Sequence, residues 1–97
     1  MMTITIEILA TIIKLLPERF DTHAVEHAMI EHFPEAFANG LLSYKDAEYP
    51  LNVFSQQLAL RVDREFSGEL EKTTKIETFN LAGKLCDNQE WRKRQAS

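Results

Sequence analysis

Three prolines, Pro17, Pro34 and Pro50, constrain this chain more than any other feature of its sequence. Proline has a fixed φ and no N–H to donate, so it closes a helix or opens one and seldom sits inside. Each of the three lies between apolar runs with helical spacing. Leu9, Ile12, Ile13 and Leu16 fall at i, i+3, i+4 and i+7, which predicts a first helix over about residues 5–16. Thr3 is its expected cap and Pro17 its end. Ile6, Ile8 and Leu15 widen its apolar face to half the helix circumference.

The second helix is expected over residues 22–33, capped by Asp21 or Thr22, with Phe20 just before the cap and Glu26 one turn in. Val25, Ala28, Met29, His32 and Phe33 form its stripe. Pro34 opens a third helix on which Phe33, Phe37, Leu41 and Tyr44 recur through about residue 44. Gly40 lies inside it at a cost of about 1 kcal/mol relative to Ala, which a close helix crossing would explain. Residues 46–49 read as a loop. Pro50 opens a fourth helix with Leu51, Phe54, Leu58, Val62 and Phe66 on one side, stopped at Ser67-Gly68 with Gly68 in a left-handed conformation.

Residues 69–83 fit either a short strand or a helical turn. Lys75-Ile76-Glu77 alternates, whereas Ile76 and Phe79 also stand at i and i+3, and Asn80 and Gly83 mark a turn. A last short helix over residues 85–94 would carry Leu85, Cys86 and Trp91, with Gln95-Ala96-Ser97 frayed. The expected fold is therefore mainly α: one compact bundle of four to five helices over residues 1–97. A small β-hairpin near residues 69–83 would make it winged-helix-like.

A chain of 97 residues with 44% hydrophobic and 27% charged side chains can bury one modest core. Cys86 is the single cysteine, so no intrachain disulfide can form, which fits a reducing compartment. The apolar run 4–16 has no basic flank and no small-residue cleavage site. It is also too short to span a bilayer. A cytoplasmic location without membrane association is the expectation.

The net charge of −4 argues against bulk nucleic-acid binding, but the charge is unevenly placed. Residues 1–60 hold 3 basic and 8 acidic side chains, and residues 61–97 hold 8 basic and 7 acidic. Arg61, Arg64, Lys72, Lys75, Lys84, Arg92, Lys93 and Arg94 are the candidate nucleic-acid contacts. Trp91 beside the last three could stack on a base, or anchor a terminal helix whose C-terminal cations offset its dipole. A helix-turn-helix would use residues 22–33 and 35–44, yet the second of these has Glu35 and no cation, with only Asn39 and Ser43 for base edges.

His23-Ala24-Val25-Glu26-His27 has the H-x-x-E-H spacing and resembles the zinc motif of inverted zincin metalloproteases. That resemblance implies a zinc-dependent hydrolase. On the helical wheel, however, His23 and His27 point away from the apolar stripe toward solvent, where a substrate could not be enclosed. Cys86 has Lys84 nearby but no histidine in its own segment, so it reads as a small buried hydrophobe. His32, on the stripe, reads as a partly buried histidine. The acidic residues are distributed as solvated helix faces. No phosphate-binding glycine loop, dinucleotide fingerprint or nucleophile elbow occurs, so no catalytic residue, metal ligand or cofactor is assigned.

Phe20-Asp21-Thr22-His23, and later Asn80-Leu81-Ala82-Gly83-Lys84 followed by Trp91, resemble short uncharacterised bacterial single-domain proteins, with Ala82 standing where a bulkier residue is expected. The resemblance implies a single domain of this length and no particular activity. The function expected from the sequence is a non-enzymatic interaction or regulatory module whose partner is another protein or a second copy of the chain. Its wide first-helix face motivates a homodimer. A helix-turn-helix or winged-helix DNA-binding protein is the alternative, and the zinc hydrolase a third.

Overall fold

The computed structural model describes residues 4–94. The expected Thr3 cap and the frayed 95–97 tail lie outside that range. Four helices and three strands follow in the order α1 (Ile6–Leu15), β1 (Arg19–Asp21), α2 (Thr22–His32), α3 (Pro34–Leu42), α4 (Pro50–Glu65), β2 (Leu70–Phe79) and β3 (Leu85–Lys93). The strands form one antiparallel sheet in the order β1-β3-β2.

The helix boundaries follow from local chemistry. Thr5 caps α1 by accepting from the Ile8 N–H (3.2 Å), and Pro17 stands just beyond its C-terminal end. Asp21 caps α2 by accepting from the Ala24 N–H (2.9 Å). Pro34 and Pro50 occupy the first turns of α3 and α4, where the missing N–H costs nothing.

The mainly α expectation is corrected by the C-terminal third. Residues 70–93 form a hairpin, and the expected helix over 85–94 is the strand β3. The ladder explains why. β3 is the middle strand, paired with β2 along its length, as in Phe79↔Leu85 and Thr78↔Cys86, and with β1 at Glu90, Trp91 and Arg92, so one backbone edge is occupied by β2 and the other by β1 where it reaches. A helix would satisfy only its own backbone and leave β1 and β2 unpaired. The register breaks between Lys72 and Lys75, where a bulge bends the hairpin. The hairpin turn is held by Asn80, whose Oδ1 accepts from the Ala82 and Lys84 N–H groups (both 2.9 Å), and by Gly83 at φ 79°. Gly83 is the positive-φ glycine among the described residues; Gly68 is not left-handed.

The core lies between α1, α2 and α4 and extends to the sheet through Phe20, Leu70 and Trp91. Leu9, Ile12, Val25, Met29, Phe54, Leu58 and Val62 are wholly excluded from solvent. Gly40 is buried where α3 meets α4: a Cβ there would stand 2.8 Å from Phe54 Cε2 and 3.1 Å from Ile4 Cδ1. The close crossing inferred from the sequence is therefore real. Ile6 and Leu15 remain exposed at the two ends of α1.

Candidate functional site

The hairpin and α4 face each other across a cavity of about 580 Å³. α4 contributes Asn52, Ser55, Gln56, Ala59, Leu60 and Asp63 to its wall. Those positions fall at helical spacing opposite the Phe54–Leu58–Val62 core stripe, so one stripe of α4 builds the core and the other the groove. The hairpin contributes Lys72, Lys75 and the run from Cys86 to Gln89. Thr22 and His23 close one end.

That closed end holds a continuous hydrogen-bond network. The Thr78 hydroxyl donates to Asp21 Oδ2 (2.7 Å), and His23 Nδ1 lies 2.6 Å from the same Thr78 oxygen. Asn88 Nδ2 donates to Thr78 Oγ1 (3.1 Å) and to the Ile76 carbonyl (3.2 Å), while Asn88 Oδ1 accepts from the His23 backbone N–H (3.1 Å). Cys86 Sγ lies 3.8 Å from His23 Nε2. Burial lowers the pKa of His23; Asp21 opposes this and His27 adds to it.

Behind the groove wall, Ser55 donates to Glu26 Oε1 (2.6 Å). Glu26 has no solvent exposure, and its Oε2 has no hydrogen-bond partner. Burial pushes its pKa up to about 7, with the Asp21 charge adding to the rise and the Ser55 bond opposing it.

Several sequence expectations change here. His23 is buried at 4% exposure rather than solvent-facing, and Glu26 is buried while His27 is exposed. The three residues of the H-x-x-E-H run thus diverge. Among the described residues no group of three or more His, Cys, Asp or Glu side chains could hold a metal ion. His32, expected on the buried stripe, is exposed beside Glu31. Trp91 is an anchor, 1% exposed, packed 5.7 Å from Phe20 and donating its indole N–H to Asp63 Oδ1 (2.6 Å), so its ring is closed to a stacked base.

The eight candidate cations separate into three groups. Arg61 donates to the Ile4 carbonyl, Lys93 to the Leu16 carbonyl (2.6 Å), and Arg92 with both guanidinium contacts to Glu71 (3.1 and 3.0 Å). These fasten the fold. Arg64 pairs with its neighbour Glu65 (3.4 Å) and Lys72 reaches Asp63 (3.1 Å), both as exposed side chains. Lys75, Lys84 and Arg94 are exposed, and no acidic side chain among the described residues forms a salt bridge with them.

The Cys86–His23 contact was invisible in the sequence because 63 residues separate the two. Only the pairing of β3 with both β1 and β2 brings them together. Comparison with known proteins finds no family, no curated protein and no solved structure that matches this chain.

Proposed function

We propose that the chain binds duplex DNA in a winged-helix mode, with α4 as the helix offered to the major groove and the β2–β3 hairpin as the wing. The supporting observation is the groove: α4 turns a stripe of neutral amides, Asn52 and Gln56, toward exposed Lys72 and Lys75 on the facing strand. Asn and Gln can make paired hydrogen bonds to an adenine edge, whereas lysines contact phosphates without reading sequence. Lys84 extends the cationic line into the hairpin turn. The recognition surface is thus moved from the 35–44 segment, with its single acidic residue, to α4.

The test is fluorescence anisotropy with labelled duplex DNA across a salt series. Two phosphate contacts, from Lys75 and Lys84, give a slope of log K against log salt of about −2, and a Lys75→Ala, Lys84→Ala double variant moves it to about zero. A wild-type slope near zero, or no binding at low salt, overturns the reading.

A second reading is favoured by one specific observation. Phe79 and Leu85, cross-strand partners at the end of the hairpin, are 63% and 52% exposed. Such a pair supports an interaction module in which the hairpin end packs on a second copy of the chain.

A further inference from the structure

We propose that Cys86 and His23 form a nucleophile–base pair, and that Cys86 is a site of covalent modification by small disulfides entering the groove. This is independent of DNA binding and rests on where the protons of the network must sit.

Thr78 has one hydroxyl hydrogen, and it is donated to Asp21 Oδ2, a carboxylate oxygen that can only accept. Thr78 Oγ1 therefore accepts from its other two neighbours, Asn88 Nδ2 and His23 Nδ1. The imidazole is fixed as the Nδ1–H tautomer, which leaves the Nε2 lone pair free. That lone pair faces Cys86 Sγ at 3.8 Å. Asn88 is itself satisfied by Ile76, Thr78 and the His23 backbone N–H, so it fixes the Thr78 hydroxyl against which the imidazole is set. Burial keeps the ring neutral at neutral pH, which is the state that can take a proton.

The surroundings supply access. Cys86 is half-buried and lines the same cavity as Asp87 and Asn88. A reagent can reach the sulfur from the groove while the base stands on the buried side. The S–H proton passes to His23 Nε2 and the sulfur electron pair attacks one sulfur of the incoming disulfide. A new S–S bond forms to Cys86, the old S–S bond breaks, and the released thiolate takes the proton back from His23. The disulfide is the oxidant, and one small thiol leaves for each chain modified.

With one cysteine in the chain, intact mass reports this site alone. The experiment follows formation of the mixed disulfide with cystamine from pH 5 to 9. In the unaltered protein the rate should begin to rise as His23 loses its proton, which burial shifts below the ordinary imidazole range, and so well before an unassisted thiol responds. An unassisted thiol keeps rising through about pH 8.5. His23→Asn should slow the reaction at pH 7 about tenfold and restore the thiol-like profile. Thr78→Val, which removes the acceptor that fixes the tautomer, should slow it to a smaller degree. A wild-type inflection near the thiol value, or no adduct at any pH, overturns the proposal without need of any variant. Unchanged rates in a folded His23→Asn protein overturn it as well.

Discussion

Glu26 is the residue whose environment departs furthest from what its chemistry prefers. It is fully enclosed, keeps a single hydrogen bond from Ser55, and has a pKa of about 7. A carboxyl whose folded pKa exceeds its unfolded one holds its proton more tightly in the native state. Its contribution to stability is complete below the unfolded pKa and is lost as pH rises through the folded value. The window here runs from about pH 4.5 to about 7, and the loss across it is about 3 kcal/mol. Chemical denaturation at pH 5 and pH 8 should show the protein less stable at the higher pH by an amount of this order. Glu26→Gln, which cannot ionise, should flatten that difference and raise stability at pH 8. The same residue shows why the buried network escaped a reading of the sequence. A glutamate one turn inside a capped helix looks like a solvated or capping side chain, and only the packing of α4 against α2 converts it into a buried acid. His23 was misplaced for the same reason: the helical wheel gives directions relative to α2, and the sheet that covers that direction lies far along the chain.

At the scale of elements, the helices were legible and the sheet was not. Pro17, Pro34 and Pro50 act through their own backbone, and Asp21 through an N–H three residues away, so the sequence alone located α1 to α4 to within a few residues. β1 is three residues long, too short for any alternation to register. β3 reads Leu-Cys-Asp-Asn-Gln-Glu-Trp-Arg-Lys, a run rich in residues with low strand propensity. Its conformation is imposed by partners on both sides. The cations follow this division: their concentration in residues 61–97 is plain in the sequence, whereas the contacts of Lys93 with Leu16 and of Arg92 with Glu71 depend on the sheet, and that of Arg61 with Ile4 on where α4 packs. The α3–α4 crossing makes a sharp prediction. Gly40→Ala gains about 1 kcal/mol of helix propensity but drives a methyl into Phe54, a ring without room to move, at a cost of about 1–3 kcal/mol. The net effect should be a lowered melting temperature. Gly68→Ala meets nothing within 4 Å and needs no positive φ, so it should leave stability unchanged or slightly raised. Thermal denaturation of the two variants side by side separates packing from propensity.

For the whole molecule, the sheet links both halves of the chain, and the exposed apolar pair Phe79 and Leu85 sits at the end of its hairpin. If that pair meets its counterpart in a second copy, light scattering across a concentration series should move from the monomer mass of 11.2 kDa toward twice that mass. Phe79→Thr should abolish the shift without affecting the melting temperature, because an exposed strand residue contributes little to the core. A monomer mass at every concentration removes the second reading and leaves DNA binding untouched. No helix among the described residues is long and apolar enough to cross a membrane.

The position of β3 in the middle of the sheet also sets a timetable. β1 and β2 do not touch through a ladder of their own; each waits for the strand that comes last in the fold. During synthesis α1 to α4 can emerge and collapse while Phe20 still lacks the Trp91 ring that packs against it. Until β3 has cleared the ribosome, β1 and β2 remain open edges with apolar side chains beside them, the kind of surface chaperones hold. A ribosome stalled on a C-terminal linker that leaves β3 in the exit tunnel should therefore carry a helical chain that is bound by a holdase and cut readily by protease. A longer linker that carries β3 clear of the tunnel should give a chain resistant to both.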